Sequence, residues 1–282
     1  MHFQSSILCT LALVATAFAR GPRGSRLGLV SGPPAGTIRP IANGSPAHSE
    51  IGVVFLTDIF GINFNNSQLV ADSFGAQGYY TFMPDLFRGE PVPVDRPADF
   101  DFPGWQARNQ PAAIDPIIDL TLQEVLGNTN VKRVGIVGYC FGGKYVARWL
   151  GRNAGIAAGY TAHPSNVAPE EWSAVTEPLS IANAELDSTW PLEEARIAES
   201  ILRDASIAWQ LNTFSDVPHG FAIRANDSLP RQVFAKEQAF VQAVNWFGEY
   251  VKPANTTRAR PASRKSYGSK SFAEEHAAVV AD

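Results

Sequence analysis

Residues 134–143 have the sequence Val-Gly-Ile-Val-Gly-Tyr-Cys-Phe-Gly-Gly, which is the most informative stretch for predicting the fold class. It begins as an apolar run, which is typical of a strand buried on both faces of a sheet. The run ends in Gly-x-Cys-x-Gly, and a helical pattern continues to Leu150. A strand, a glycine-flanked nucleophile and a helix form the signature of a nucleophile elbow, here with cysteine in place of serine.

The spacing of the two glycines has a steric reason. In an elbow the nucleophile lies on a tight turn, so a larger side chain two residues before or after it would collide with neighbouring backbone. Gly138 and Gly142 remove this obstruction. We expect the turn to present the Cys140 thiol at a helix N-terminus, where the helix dipole favours thiolate. The backbone N–H of Phe141 would then face a developing oxyanion.

From Ile51 onward, short apolar runs alternate with longer amphipathic stretches. This alternation indicates an α/β fold with a mostly parallel sheet and helices on both faces. Residues 88–111 contain five prolines and predict a long irregular excursion. The predicted strands are 51–57, 79–83, 131–138, 155–162, 179–184 and 207–214, and the predicted helices are 65–77, 112–126, 142–150, 192–204 and 232–251.

Partners for the cysteine occur in the chain order that α/β-hydrolases use, namely nucleophile, acid and histidine. Asp187 follows the predicted strand 179–184, and His219 follows the predicted strand 207–214, just before the last helix. The sequence therefore predicts a Cys140–His219–Asp187 triad on an α/β-hydrolase fold. Two other carboxylates compete for the acid position. Asp216 lies three residues before His219, and Glu185 lies two residues before Asp187.

Four segments make up the predicted domain organisation. Residues 1–19 resemble a signal peptide, because a 13-residue apolar run ends in Ala17-Phe18-Ala19, which a signal peptidase accepts. Such a run is too short to span a bilayer, which takes about 20 residues. Residues 20–50 form an irregular lead-in rich in Gly, Pro and Ser, 51–252 the catalytic domain, and 253–282 a disordered tail. We therefore expect a secreted protein without a membrane anchor after cleavage.

Cysteine usage agrees with a functional thiol. The chain has two cysteines, and Cys9 lies inside the predicted signal peptide, so the mature protein would keep Cys140 alone. An unpaired thiol in an oxidising compartment calls for a functional explanation. Asn-x-Ser/Thr sequons at Asn65, Asn226 and Asn255 are predicted N-glycan sites, and the sequon at Asn43 is followed by Pro46, which disfavours its use.

Composition narrows the class of partner. The 282 residues are 45 % hydrophobic and carry a net charge of −4, without a long basic run in the body of the chain. This balance argues against a nucleic-acid surface. No histidine and carboxylate cluster with metal-ligand spacing and no glycine-rich phosphate loop are apparent, so we expect neither metal nor organic cofactor.

Several motifs together resemble the dienelactone hydrolase family. The first is Gly-Tyr-Cys-Phe-Gly-Gly at 138–143, and Trp190-Pro191 and His219-Gly220-Phe221 follow the two predicted triad partners. Asp58-Ile59-Phe60-Gly61 and Pro84-Asp85-Leu86-Phe87 match two further family segments. The similarity spans about Ile51 to Val251 and is closest to secreted or fungal-type members.

The resemblance implies further site residues. It assigns the second oxyanion donor to the backbone N–H of Ile59 and an interaction with the resting thiol to Asp58, where the catabolic enzyme has Glu. It implies that Arg224 binds a substrate carboxylate, although it is displaced by one residue from the catabolic pattern. A surface salt bridge is the alternative for Arg224. For a second arginine of this kind, the sequence offers Arg88 and Arg108.

Other side chains are candidates for lining the pocket. His163 follows a predicted strand and either lines the pocket or has a structural role. Trp105 and Trp190 are candidate apolar walls, although large aromatic residues are more often part of the core.

The predicted function is hydrolysis of a small-molecule carboxylic ester or lactone by nucleophilic catalysis at Cys140. Two alternatives remain at this point. One is a secreted binding protein that keeps the fold without turnover, which the Glu-to-Asp difference at Asp58 favours. The other is a hydrolase of a biosynthetic pathway that acts on a thioester or polyketide.

Overall fold

The computed structural model of the protein describes residues 49–152 and 154–252, apart from the side chain of Asn128. The predicted signal peptide 1–19, nearly all of the lead-in 20–50 and the tail 253–282 lie outside these residues. The sequons at Asn43 and Asn255 lie outside them as well.

The described residues form a six-stranded sheet in which every neighbouring pair is parallel. The strand order is β2-β1-β3-β4-β5-β6. The predicted α/β-hydrolase architecture with a parallel sheet is therefore confirmed. The strands are β1 (Ile51–Leu56), β2 (Tyr80–Phe82), β3 (Arg133–Tyr139), β4 (Ile156–Ala162), β5 (Leu179–Leu186) and β6 (Trp209–Pro218).

Helices cover both faces of the sheet, as the apolar strands require. Leu56 and Ile136 point into a core shared with α3 to α6, whereas Phe55 and Val137 point into a core shared with α1, α7 and α8. The helices are α1 (Asn65–Ala76), α2 (Phe102–Arg108), α3 (Pro111–Asn128), α4 (Phe141–Leu150), α5 (Pro169–Ser173), α6 (Leu192–Asp204), α7 (Phe221–Arg224) and α8 (Pro230–Tyr250).

The topology places the site. After β1 the chain first adds β2 on one side and then crosses over to add β3 on the other. Such a switch point leaves a crevice at the carboxyl ends of the two central strands, where ligands of open α/β sheets bind. The loop after β1 carries Asp58 and Ile59, and the loop after β3 is Cys140 itself. The crevice therefore brings together segments that lie about eighty residues apart in the chain.

Three short helices correct the predicted secondary structure. The excursion 88–111 is not irregular throughout, because it contains α2, whose first turn is capped when the Asp101 carboxylate accepts the Gly104 N–H at 2.9 Å. Trp105 of α2 is buried and holds the helix against the core. Helices α5 and α7 have five and four residues, too few for an apolar period to appear in the sequence.

Candidate active site

Cys140 lies on a strained turn between β3 and α4. Its backbone has φ 51° and ψ −111°, in the left-handed region that side-chain-bearing residues rarely adopt. The glycines on either side are sterically required. A Cβ on Gly138 would overlap the carbonyl oxygen of Gly142, and a Cβ on Gly142 would overlap the carbonyl oxygen of Leu56. The sequence-predicted elbow is therefore present, with cysteine at its apex.

The Asp187 carboxylate and the His219 ring form a buried pair. Asp187 follows β5, and its side chain is fully buried. His219 follows β6, and its Nδ1 lies 2.8 Å from Oδ2 of Asp187. The backbone N–H groups of Thr189 and Trp190 donate to Oδ1 of Asp187 at 2.8 and 2.9 Å. A carboxylate with these partners accepts hydrogen bonds, so Nδ1 carries the proton and Nε2 is the nitrogen left for chemistry.

The environment of His219 favours its protonated form. Burial lowers the pKa of His219, but a hydrogen bond with Asp187, an interaction with Cys140 and the negative charge of both outweigh burial and raise it to about 9. Nε2 is buried without a partner of hydrogen-bonding geometry. The Cys140 thiol therefore interacts with the His219 ring, but it does not form a hydrogen bond of good geometry with Nε2. Such loose catalytic hydrogen bonds are common in resting active sites.

The stability advantage of the wild-type protein over His219→Gln is expected to shrink as the pH rises. Because the folded pKa of about 9 exceeds the ordinary histidine pKa of 6.5, protonation of His219 stabilises the folded state. This contribution is complete below about pH 6.5, is lost as the pH rises through about 9, and is at most about 3 kcal/mol. Urea unfolding of both proteins at about pH 6 and about pH 10 measures it. An equal difference at both pH values would contradict this account.

The two competing carboxylates lie outside the pair. The Asp216 side chain is 70 % exposed and forms an ion pair with Arg231 at 3.5 Å. Glu185 accepts the backbone N–H of Asp216 at 2.8 Å. Neither carboxylate is bonded to His219, so Asp187 is the acid that the fold brings to this ring.

The two backbone N–H groups predicted to hold an oxyanion, those of Ile59 and Phe141, have no backbone acceptor among the loop and turn hydrogen bonds of the described residues. Hydrogen bonds connect the loop after β1 to the elbow and to the segment 88–111. Gly142 N–H donates to the carbonyl of Thr57 at 3.1 Å, and Val92 N–H donates to the carbonyl of Ile59 at 2.9 Å. These bonds hold the loop after β1 beside the elbow.

Asp58 is paired with Arg224 rather than with the thiol. The fully buried Asp58 carboxylate accepts hydrogen bonds from Nη1 of Arg224 and from the Phe60 N–H. Burial raises the pKa of Asp58, although Arg224 and the Phe60 N–H act in the opposite direction. The Arg224 guanidinium also lies 5.0 Å from the centre of the Phe60 ring. Arg224 therefore forms an ion pair with a buried carboxylate, and the alternative of a surface salt bridge is wrong.

The other predicted side chains occupy different places. Arg88 donates to Oδ1 of Asn109 at 2.9 Å, which links the two ends of the segment 88–111. The side chain of Arg108 is exposed. Trp105 is buried, with its ring 5.7 Å from that of Phe141. Trp190 is buried against Trp172, with ring centres 5.9 Å apart.

His163 lies against His219. It is fully buried, the two ring centres are 5.0 Å apart, and neither His163 nitrogen has a hydrogen-bond partner. Burial, followed by the positive charges of His219 and Arg224, lowers the pKa of His163 well below its usual range. The sequence did not single out Ser165, whose hydroxyl oxygen lies 3.9 Å from the Cys140 sulfur. A serine after a proline carries no signal of such a contact.

Residues 49–152 and 154–252 contain no group of three or more His, Cys, Asp or Glu side chains with metal-binding geometry. None of the helices in that part of the chain combines the length and apolar character needed to cross a membrane.

Comparison with known proteins decides the family. The model of the dienelactone hydrolase family matches residues 40–251. This chain belongs to the dienelactone hydrolase family. A relative named "Hydrolase pyvD" from Aspergillus violaceofuscus is 44 % identical over 71 % of this chain and 81 % of its own length. A "Carboxymethylenebutenolidase homolog" from Rattus norvegicus is 29 % identical over 73 % of this chain and 85 % of its own.

A solved structure supports the fold. The dienelactone hydrolase-like promiscuous phosphotriesterase P91 from metagenomic libraries superposes with a TM-score of 0.60 at 18 % identity, over 71 % of this chain and 87 % of its own. The family resemblance inferred from the motifs is thus confirmed, and the dienelactone hydrolase-like protein is an ester or lactone hydrolase.

Proposed function

We propose that this dienelactone hydrolase family member cleaves a carboxylic ester or lactone through a thioester formed on Cys140. The observation that carries the proposal is the Cys140 thiol at the apex of a strained elbow, where it interacts with a histidine bonded to a buried carboxylate. Nucleophile, base and orienting group in this arrangement are the requirements for covalent acyl transfer.

In the proposed first step, the thiol proton moves to Nε2 of the neutral His219 ring, and the thiolate attacks the substrate carbonyl carbon. The raised pKa of His219 favours this thiolate–imidazolium pair. The carbonyl oxygen becomes an oxyanion, which the N–H groups of Ile59 and Phe141 stabilise. When the oxyanion collapses, the C–O bond breaks and His219 gives its proton to the leaving alkoxide. Removing one oxyanion donor typically costs a hundredfold or more in rate. Asp187 keeps the ring oriented throughout.

In the second step water attacks the thioester carbonyl, again with His219 as general base. The C–S bond breaks, the sulfur leaves as thiolate and regains its proton from His219, and the carboxylic acid departs. The two steps together consume one ester and one water, and they need no oxidant or cofactor.

Trapping the intermediate tests the proposal directly. Rapid quenching in acid after mixing with an activated acetate ester is expected to give protein with one added acetyl group on the peptide that contains Cys140. The cysteine thioester should be cleaved by hydroxylamine. His219→Gln is expected to accumulate little of it, because attack is slow. An acetyl group found only on lysines or serines at turnover-competent rates would contradict a cysteine nucleophile.

We also propose that the protein is exported, cleaved after Ala19 and glycosylated. The apolar run before Ala19 supports export, and Asn65 and Asn226 have exposed side chains that a glycan could extend from. Expression in a eukaryotic secretion host is expected to give protein in the medium that begins at Arg20 and loses mass with a glycosidase. Cellular protein that still begins at Met1 would contradict export.

A further inference from the structure

The turn that follows β4 is hydrogen-bonded to the nucleophile elbow. Two of its residues, His163 and Asn166, have left-handed backbones with φ 38° and 52°. Such conformations in residues with side chains are held by their surroundings and are found most often at functional sites. We call residues 163–166 the β4 turn. Its sequence is His-Pro-Ser-Asn.

Hydrogen bonds fasten the β4 turn to the elbow on both sides. The Ser165 N–H donates to the carbonyl of Cys140 at 3.1 Å. The Cys140 N–H donates to the carbonyl of Ala162, just before the turn, at 3.2 Å. At the other end, Nζ of Lys144 in α4 donates to the carbonyl of Asn166 at 2.7 Å. The position of Ser165 is therefore coupled to the backbone that presents the sulfur.

The side chain of Ser165 reaches the reacting atom. Its hydroxyl oxygen lies 3.9 Å from Sγ of Cys140, with the thiol as donor in the resting state. A serine hydroxyl rotates freely and can accept or donate at the same position. Once the thiol proton has moved to His219, the same hydroxyl can turn and donate to the thiolate. Hydrogen bonds to a charged atom are about twice as strong as those between neutral groups.

We propose that Ser165 is a catalytic residue that accepts from the resting Cys140 thiol and donates to the thiolate. This inference rests on the proposed function, because it assumes that Cys140 is the nucleophile. The proton count is unchanged by Ser165, since the hydroxyl keeps its own hydrogen while the thiol proton goes to Nε2 of His219. His163 supports the arrangement as a positioning residue, because its uncharged ring packs against His219.

The charged and titratable groups that interact with His219, or with its partners, come from the ends of four strands and from α7. Once Nε2 has taken the thiol proton, His219 is a cation that interacts with the sulfur, and its partner Asp187 is bonded to Nδ1 on the other side of the ring. The Asp58 charge is matched by Arg224. Ser165 thus adds an uncharged donor to the site. The groups are Asp58 after β1, His163 after β4, Asp187 after β5, His219 after β6 and Arg224 in α7.

Two variants that match each other in shape and differ only in the hydroxyl test this role. Ser165→Thr keeps the hydroxyl, whereas Ser165→Val has the same outline and lacks it. The rate of Cys140 alkylation by iodoacetamide is measured from about pH 5 to about pH 10. Ser165→Val is expected to alkylate about tenfold more slowly at pH 6, with the midpoint of the profile raised by about one pH unit. Ser165→Thr is expected to follow the wild-type profile.

Controls separate this inference from general damage and from the proposed function. Ser173→Ala, an exposed serine of α5, is expected to change neither profile nor ester turnover. If Ser165→Val and Ser165→Thr give the same profile, the inference is overturned, whether that profile is wild-type or altered. If Cys140→Ala retains wild-type turnover, the proposed function fails instead. If Ser165→Val does not fold, Ser165→Ala is compared with Ser165→Thr by the same alkylation profile.

Discussion

The variant Cys140→Ala is expected to hydrolyse short-chain esters at least about 10⁴-fold more slowly than the wild-type protein, in kcat/KM. Without the sulfur no thioester forms, and only the oxyanion donors and the binding crevice remain to assist attack by water. Cys140 is buried, but this substitution removes a single sulfur atom, so the change in packed volume is small. The measurement is steady-state hydrolysis of a chromogenic ester.

Cys140→Ser is the matched control for shape. A hydroxyl is less readily ionised than a thiol, so this variant is expected to keep a small residual activity above that of Cys140→Ala. Thermal unfolding of all three proteins must show that they are folded at the assay temperature. Equal turnover by Cys140→Ala and wild type would end the case for a cysteine nucleophile and would favour a different reacting group.

The variant Asp187→Asn is expected to lower kcat about 10³- to 10⁴-fold near neutral pH. An amide in place of the carboxylate can offer N–H to the ring and stabilise the wrong tautomer, in which Nε2 carries the proton and cannot accept one from the thiol. It also removes the charge that raises the pKa of His219. We expect KM to change much less than kcat, because Asp187 is buried behind the ring.

Two neighbouring carboxylates provide matched controls for Asp187→Asn. Asp216→Asn and Glu185→Gln change the other two nearby carboxylates, which are exposed and bonded elsewhere. Both are expected to stay within about twofold of the wild-type rate, since surface substitutions of this kind have small effects. If Asp216→Asn is as slow as Asp187→Asn, the assignment of the acid is wrong.

The parts of the fold that follow from periodicity were predictable from sequence. Val134 to Gly138 is apolar without alternation, because β3 is buried on both faces, and this feature marks a central parallel strand. The meeting of Cys140, Asp187 and His219 at one edge of the sheet was predictable for a similar reason. In a parallel sheet every carboxyl end lies at the same edge, so residues that follow strands meet there.

Contacts that depend on three-dimensional placement were not predictable. The pairing of Asp58 with Arg224 joins residues 166 positions apart, and no local pattern encodes it. Helix α2 was missed because its two turns include Pro103 and Gly104, and its stability comes from the Asp101 cap and the burial of Trp105. The contact of Ser165 with the sulfur occurs in a turn that begins with the left-handed backbone of His163, and a left-handed conformation at a histidine has no sequence signal.

The strained backbone at residue 140 has a consequence for directed evolution. A left-handed conformation costs about 1–3 kcal/mol for most side chains, and glycine avoids that cost. Variants that exchange Cys140 for glycine would thus recover heat resistance while losing the thiol. A library screened for survival at high temperature alone would enrich inactive molecules, so such a screen must reward turnover in the same step.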